Sequence, residues 1–263
     1  RDQPRSRGLG DVYKRQVLDK ETIEALCDRR FGIGADGLIA VEPSRGKGGT
    51  VRMRYYNADG GEAEMCGNGA RCFGNFAAAL LHHDKSAPLP FETMAGIVTA
   101  TFEKDGNVTV NLTDPHSLQL FVLNADPAVG ADVHFLNTGV PHAVAFLDKL
   151  DGLDVPRLGA YLRYHSAFSP KGTNANFARI LSPGHIAIRT YERGVEDETL
   201  ACGTGMTASA LLHAVLTDAP SPIQVDVAGG DTLKVGFQRT GDRFTSVTLT
   251  GPADLVFTGD IEL

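Results

Sequence analysis

The chain has 263 residues, enough for one large domain or two of ordinary size with a substantial core. Its net charge of -7, with no long run of Lys or Arg after the first residues, argues against a partner such as nucleic acid or an anionic membrane. No apolar stretch has transmembrane length and no secretory signal pattern is visible, so we expect a cytoplasmic protein that binds a small molecule.

The first 16 residues differ in character from the rest of the chain. They carry five Lys or Arg and no apolar periodicity, and we interpret residues 1–16 as a foreign N-terminal segment. The remainder is predicted to form an N-terminal half, residues 17–113, and a C-terminal half, residues 114–252. A C-terminal strand over residues 253–263 is expected to complete the first half.

A short helix is predicted directly after Asp19. Ile23, Leu26 and Cys27 recur at helical spacing and so share one face. An apolar face on a short helix is typical of packing against a core. Cys27 is therefore expected to be a small core residue and not a reactive one.

The glycine pattern Gly32-x-Gly34-x-x-Gly37 has the spacing of a dinucleotide-binding fingerprint. That motif follows a strand and opens a helix. Here a predicted helix precedes the glycines, and a strand-like run over residues 38–41 follows them. The order of elements therefore predicts a structural turn.

Most of the remaining chain predicts β-structure. Alternating apolar residues flank Lys104-Asp105-Gly106-Asn107 and Thr240-Gly241-Asp242, and both patterns are typical of hairpins. Other strands are predicted in the run VRMRYYNADG (residues 51–60) and at residues 133–136, 143–147, 176–181, 185–191 and 224–227. Two Ala-rich segments, about 69–82 and 205–216, are apolar on nearly every side, which predicts helices enclosed by strands. The fold class is therefore α+β.

The same kind of tetrad opens both Ala-rich helices. Cys66-Gly67-Asn68-Gly69 and Cys202-Gly203-Thr204-Gly205 lie about half the chain length apart. Sliding the chain by this interval also superposes Tyr55 on Tyr191. We interpret the pattern as two copies of one unit, which predicts two pseudo-symmetric halves.

The paired cysteines suit acid–base chemistry. A thiol at the start of a helix lies near unpaired backbone N–H groups, whose partial positive charge lowers the pKa of a cysteine. The glycines let those N–H groups approach an anionic ligand such as a carboxylate. With both tetrads in one cleft, one sulfur would remove a proton from a carbon while the other supplies one from the opposite side. Such two-base racemisation or epimerisation requires no cofactor.

Other interpretations of the cysteines stay open at this point. A lone cysteine before a helix is often a small core residue, and only the pairing of Cys66 with Cys202 favours catalysis. The tetrads would also fit a non-catalytic module that binds carboxylate or phosphate. Cys72, inside the first Ala-rich helix, is expected to be packed rather than reactive. No metal is expected, because no Cys or His pair has the spacing of a ligand set.

The segments YNADGGEAEMCGNGARC and YERGVEDETLACGTG closely resemble the diaminopimelate epimerase family. The similarity extends from about Glu21 to Leu263 and includes RRFGIGADG, TGVPH and TNANF. The resemblance implies a bacterial, cytoplasmic isomerase that interconverts LL- and meso-diaminopimelate for lysine and peptidoglycan synthesis, without a cofactor and commonly as a homodimer. It also implies that each half is a strand barrel wrapped around a central helix, with the active site in the cleft between the halves.

The resemblance assigns roles around the reacting centre. Cys66 and Cys202 match the two acid/base groups of the family, and His142 matches a histidine expected to tune a thiol. The positions that hold the reacting carboxylate are matched by Gly67, Asn68, Gly203 and Thr204.

The distal end of diaminopimelate is itself an amino acid, with one cation and one anion. Arg193 is expected to bind that carboxylate with two hydrogen bonds, and Glu192 is expected to pair with that ammonium. Asn57 and Asn174 are expected to add neutral hydrogen bonds. The related proline and hydroxyproline racemases are an alternative, but their ring substrates would leave Arg193 and Glu192 with nothing to hold.

The chain departs from the family pattern at three positions. Val140 stands where members usually have an Asn before the Pro-His pair, and Gly37 stands where some members have a Gln. The family opens with a strand whose Asn contacts substrate, and that position would fall near Pro4. If residues 1–16 belong to the molecule, we expect this last departure to compromise activity.

Overall fold

The structure is a computed structural model, and it describes residues 18–46, 48–63 and 66–261. The predicted foreign segment, residues 1–16, lies outside the described residues. By their contacts the residues fall into two compact units. One comprises those up to Thr101 together with those from Asp254 onward, and the other is Phe102–Ala253.

The first unit combines a layer of strands with two helices. The helices are α1 (Lys20–Cys27) and α2 (Gly67–Leu80). The strands are β1 (Gly37–Pro43), β2 (Val51–Asn57), β3 (Glu62–Ala63), β4 (Leu89–Thr93) and β5 (Gly96–Phe102). Their order is β1–β2–β4–β5, with β3 also paired to β2. Strands β2 and β4 run parallel, and the other pairs are antiparallel.

The prediction for α1 and the glycine turn is confirmed. Asp19 caps α1 by accepting a hydrogen bond from the Thr22 N–H at 2.9 Å, and Ile23 and Cys27 are buried. The chain then turns at Gly34, whose positive φ of 83° favours glycine, and enters β1. The segment is a structural connection between a helix and a strand.

The second unit is a larger, mixed sheet with two helices and a short 3-10 helix (Ser166–Phe168). Its α-helices are α3 (Val155–Arg163) and α4 (Gly203–Thr217). Its strands are β6 (Val108–Asn111), β7 (His116–Asp126), β8 (Ala131–Asn137), β9 (Pro141–Phe146), β10 (Asn174–Ser182), β11 (His185–Glu192), β12 (Asp197–Thr199), β13 (Ile223–Asp226), β14 (Thr232–Thr240) and β15 (Arg243–Gly251). The order is β6–β15–β14–β13–β11–β10–β9–β8–β7, with β12 beside β11. The strands predicted from sequence in this region are confirmed.

The two units repeat one succession of elements. In the first it is β1–β2–β3–α2–β4–β5, and in the second it is β10–β11–β12–α4–β13–β14. The pairings repeat as well, because β2 with β4 and β11 with β13 are parallel while the flanking pairs are antiparallel. In both units the helix begins directly after its cysteine. The predicted duplication and the two pseudo-symmetric halves are confirmed.

Helix α4 is enclosed by strands as predicted, whereas α2 is covered by the described strands on one side only. Strands β8, β9, β10, β11, β13, β14 and β15 all contact α4, and side chains such as Met206, Leu211 and Leu212 are fully buried. Each contributes about 1.5–3 kcal/mol through removal of apolar surface from water. Within the described residues α2 packs on β1, β2 and β4, and Phe76 on its other side is 50% exposed.

Helix α3 is absent from the sequence prediction. Asp154 caps it by accepting from the Arg157 N–H, and it packs on β10, β11 and β12. A side chain at Gly159 would overlap the Tyr191 ring, so the glycine permits close contact with the sheet. Residues 254–261 group with the first unit but form no strand there. No helix in the described ranges is long and apolar enough to cross a membrane.

Candidate active site

Cys66 is the N-cap of α2. Its backbone is extended, and its sulfur accepts a hydrogen bond from the Gly69 N–H at 3.3 Å. The first intrahelical bond runs from the Ala70 N–H to the Cys66 carbonyl, so the N–H groups of residues 67–69 have no carbonyl of a preceding turn to bind. The sulfur therefore lies at the positive end of the helix and receives one of its N–H bonds.

Asn68 is held by a buried arginine one turn further along α2. Arg71 is 5% exposed, and its guanidinium donates to Asn68 Oδ1 at 3.1 Å and to the Gly67 carbonyl at 3.5 Å. A buried guanidinium needs such acceptors. No role was predicted for Arg71, and the structure shows that it orients the Asn68 amide near Cys66.

Cys202 is the N-cap residue of α4, but unlike Cys66 its sulfur accepts no capping hydrogen bond from a backbone N–H of the described residues. The residue is 7% exposed, and its sulfur lies 3.5 Å from Thr204 Oγ1. The buried Thr138 hydroxyl donates to the Thr204 carbonyl at 3.0 Å, which ties the first turn of α4 to the loop between β8 and β9. The second unit therefore brings Cys202, Gly203 and Thr204 together at one helix start.

The third residue after each cysteine is a glycine for different reasons in the two units. A Cβ on Gly69 would lie 3.3 Å from Cys66 Cβ and 3.5 Å from its sulfur, a tight contact that small shifts can relieve. A Cβ on Gly205 would overlap Asn176 Oδ1, which is buried and fixed. The glycine after Cys202 is therefore the more strictly required of the two.

We expect Gly205→Ala to destabilise the protein by about 1–3 kcal/mol through overpacking, and to lower activity. Gly69→Ala is the matched control and should change stability by less than about 1 kcal/mol, because the helical preference of Ala offsets the tight contact. Urea unfolding of both variants measures the difference. Equal destabilisation by the two substitutions would contradict the stricter requirement for glycine at position 205.

Arg193 follows β11 and has no carboxylate partner among the described residues. Its guanidinium donates to the Lys171 carbonyl at 3.2 Å. Neighbouring acidic side chains are engaged elsewhere, because Glu198 pairs with Arg189 and Glu196 pairs with Arg163. The surface ion pair that an isolated arginine usually makes is not found here, which leaves the guanidinium able to bind an external carboxylate.

Asn174 and Glu192 adjoin Arg193 and are themselves positioned. Asn174 Oδ1 accepts from the Arg193 backbone N–H at 2.8 Å, and its amide donates to the Pro141 carbonyl at 3.0 Å. Glu192, the last residue of β11, accepts from the Thr199 hydroxyl of β12. The second unit thus gathers Asn174, Glu192 and Arg193 at one end of β10 and β11.

His142 is fully buried on β9, directly paired with Asn174 on β10. Desolvation, with a further contribution from the Arg193 charge, lowers the pKa of His142 to about 3. The imidazole is therefore neutral at physiological pH. It can offer a hydrogen bond but carries no positive charge to a thiolate.

Asn57 ends β2 in the first unit, where its side chain is exposed. Its backbone N–H bonds to the Gly61 carbonyl in the turn before β3. This is the position equivalent to the end of β11 in the second unit. How Cys66 and Asn57 lie relative to Cys202 and Arg193 stays a prediction.

The expectation that Cys72 is packed is wrong. It is an exposed residue, because it lies on the side of α2 that the described strands leave uncovered. Surrounding atoms still desolvate its sulfur and raise the pKa of the Cys72 thiol. The Cys72 thiol is therefore accessible but, because its pKa is raised, protonated at neutral pH. Cys27, by contrast, is buried as expected.

The diaminopimelate epimerase family model matches residues 9–118 and 134–256. The chain belongs to this family. A diaminopimelate epimerase of Chlorobaculum tepidum is 43% identical over 248 residues, which cover 94% of this chain and 93% of the relative. One of Hydrogenobaculum is 41% identical, with coverage of 95% and 88%.

Solved structures support the fold of this family independently of close sequence identity. A phenazine biosynthesis protein of Bacillus anthracis superposes with a TM-score of 0.67 at 15% identity, over 89% of this chain and 86% of that one. A probable proline racemase of Agrobacterium radiobacter gives a TM-score of 0.62 at 19% identity, over 89% and 79%. Membership of the epimerase family therefore rests on the sequence relatives. The shared architecture is supported by the sequence relatives and by the solved structures.

Two supporting residues, Arg71 and Thr138, were not predicted from the sequence, although the sequence contains a signal for Arg71. Arg71 is a charged side chain inside an otherwise apolar helix, three residues after Asn68, and that spacing places both on one face. Thr138 carries no comparable signal, because its contact with Thr204 joins segments far apart in the chain. The departure at Gly37 has a local cause, since a side chain there would overlap the Tyr56 carbonyl.

Proposed function

We propose that the protein interconverts LL- and meso-diaminopimelate, with Cys66 and Cys202 as the acid–base pair and no cofactor. The observation that carries the proposal is the repeated helix start, where each unit presents one cysteine as an N-cap. The curated relatives named diaminopimelate epimerase, at 37–43% identity over most of the chain, support the substrate.

The reaction needs one proton removed and one delivered. One thiolate uses its electron pair to take the α-proton, and the electron pair of the broken C–H bond passes into the adjacent carboxylate. The thiol on the opposite face then donates its proton to the same carbon, which inverts the centre and leaves the first sulfur protonated. The N–H groups at the two helix starts would stabilise the negative charge on the carboxylate, at about 3 kcal/mol for each preorganised donor.

Residues at the end of β11 would bind the distal amino-acid group of diaminopimelate. The Arg193 guanidinium would donate to the distal carboxylate and Glu192 would accept from the distal ammonium, while Asn174 holds the Arg193 backbone in place. The Cys-Gly-Asn-Gly tetrad and these two charges favour diaminopimelate over proline. A ring substrate has no distal charges to offset their desolvation.

Hydrogen exchange in deuterium oxide tests the function directly. We expect LL-diaminopimelate to gain one α-deuterium as meso product forms, while L-proline under the same conditions gains none. Mass spectrometry with chiral chromatography follows both products. Exchange of proline alone would favour the racemase alternative, and exchange of neither substrate would favour a binding module without catalysis.

We also infer a cytoplasmic setting and a homodimer. The four cysteines are all free thiols, which suits a reducing compartment. Family resemblance supports the dimer. Light scattering on the purified protein tests it, and a monomer mass in active protein would refute it.

A further inference from the structure

His142 and Asn176 form a buried pair beneath the start of α4. Both side chains are fully buried, and Asn176 Nδ2 lies 3.1 Å from His142 Nδ1. The Asn176 side chain also lies directly against Gly205, in the helical turn that Cys202 caps. The pair therefore adjoins the catalytic turn of the second unit.

The hydrogen-bond network fixes which ring nitrogen of His142 carries the proton. Asn176 Nδ2 also lies 3.0 Å from the Ala143 carbonyl, which can only accept, so the amide NH2 group faces both partners. Because that NH2 group donates, His142 Nδ1 must accept and be without a proton. A neutral imidazole then carries its single proton on Nε2.

Thr190 holds the amide in this orientation. Its buried hydroxyl donates to Asn176 Oδ1 at 3.0 Å, and Thr190 is the β11 residue directly opposite Asn176. The three residues come from adjacent strands β9, β10 and β11. The alignment of these three side chains therefore depends on the register of the strands.

The Nε2–H of His142 is buried and has no hydrogen-bond partner among the described residues. A buried donor left without an acceptor costs about 1–3 kcal/mol. With a pKa of about 3, the ring does not recover this cost by changing its charge near neutral pH. An acceptor other than the described residues would therefore stabilise this buried N–H group.

We propose that Asn176, held by Thr190, is a positioning residue that locks His142 in the Nε2–H form, so that the ring donates one hydrogen bond to the bound amino acid. The identity of the acceptor molecule rests on the proposed function. The tautomer lock does not, because it follows from the three side chains alone.

The tautomer is measurable by NMR on protein labelled with 15N histidine. Long-range proton–nitrogen spectra distinguish the protonated from the bare ring nitrogen. The chain has eight histidines, and the His142 signals are those lost in His142→Gln. We expect a protonated Nε2 and a bare Nδ1, unchanged between about pH 5 and 9. A bare Nε2 in the unaltered protein would overturn the proposal.

Two variants probe the lock. In Asn176→Asp a carboxylate replaces the donor, so Nδ1 should become protonated, and kcat should fall about 100-fold as for loss of one preorganised donor. Thr190→Val removes the hydroxyl that holds the amide and should give a mixture of tautomers, whereas Thr190→Ser keeps it and should match the unaltered protein. Thr190→Val also serves if Asn176→Asp fails to fold.

The outcomes separate this proposal from the proposed function. If the His142 tautomer is unchanged in Asn176→Asp or Thr190→Val, the lock is refuted, whatever the activity of the variant. Diaminopimelate should shift the Nε2–H signal on binding even without turnover, and no shift at saturation would refute the donor role. Failure of the unaltered protein to exchange α-protons would refute the proposed function but leave the tautomer result standing.

Discussion

Replacing either capping cysteine with serine is expected to lower the rate of epimerisation about 10³-fold but to leave proton exchange at one epimer. Loss of a general acid or base costs about 10²- to 10⁴-fold, and we expect kcat to fall by about 10³-fold in Cys66→Ser and in Cys202→Ser. A serine hydroxyl is a much weaker acid than a thiol. It neither removes the α-proton nor returns one to the opposite face.

In the proposed two-base scheme the remaining cysteine still faces one side of the α-carbon. In each variant it should remove and return the proton of one epimer only, so deuterium enters that epimer without inversion. The two variants should therefore exchange opposite epimers, one LL and the other meso. Chiral analysis of recovered substrate in deuterium oxide separates these results.

Cys72→Ser is the matched control for both variants. Its thiol is exposed and has a raised pKa, so turnover should stay within about two-fold of the unaltered protein. Thermal unfolding establishes that all three variants fold. Near-normal epimerisation in either Cys66→Ser or Cys202→Ser would remove that residue from the two-base scheme.

Local patterns in the sequence predicted the local structure around both cysteines. The tetrads place a cysteine directly before an Ala-rich helix in each unit, and the structure makes both residues N-caps. The predicted helices begin only two residues too late, since the prediction started them at the second glycine. Capping, periodicity and turn glycines depend on neighbours a few residues away, so they are legible in one sequence.

What the sequence did not predict depends on contacts between distant segments. The exposed side of α2 depends on which strands cover the helix, and no property of its own residues reports that. The lock formed by Asn176, Thr190 and His142 depends on the register of three strands. TNANF was singled out as a motif, but only Asn174 was assigned to the site.

Helix α3 is a different kind of miss, because its signals were local. Asp154 as N-cap, Pro156 in the first turn and the Leu158–Leu162 spacing all favour a helix. Gly159 lowers helix propensity and weakens that pattern. The structure shows that the glycine is required by contact with Tyr191, so packing outweighs propensity there.

Arg193→Met is expected to lower kcat/KM for diaminopimelate by about 10²- to 10³-fold. Two hydrogen bonds from a guanidinium to a carboxylate contribute about 3–4 kcal/mol, and methionine keeps the length of the side chain without the charge. Arg193→Lys should recover only part of the loss, since an ammonium cannot make the paired bonds. Steady-state kinetics of all three proteins measure the effect.

A shortened substrate shows whether the loss arises at the distal carboxylate. L-Lysine lacks that group, so its slow α-proton exchange should be equal in Arg193→Met and the unaltered protein. Arg179→Met, on the exposed side of β10, controls for the change in net charge and should leave both substrates unaffected. If Arg193→Met slowed lysine exchange as much as diaminopimelate epimerisation, Arg193 would act at the reacting centre or on the fold, and distal recognition would have to come from other residues.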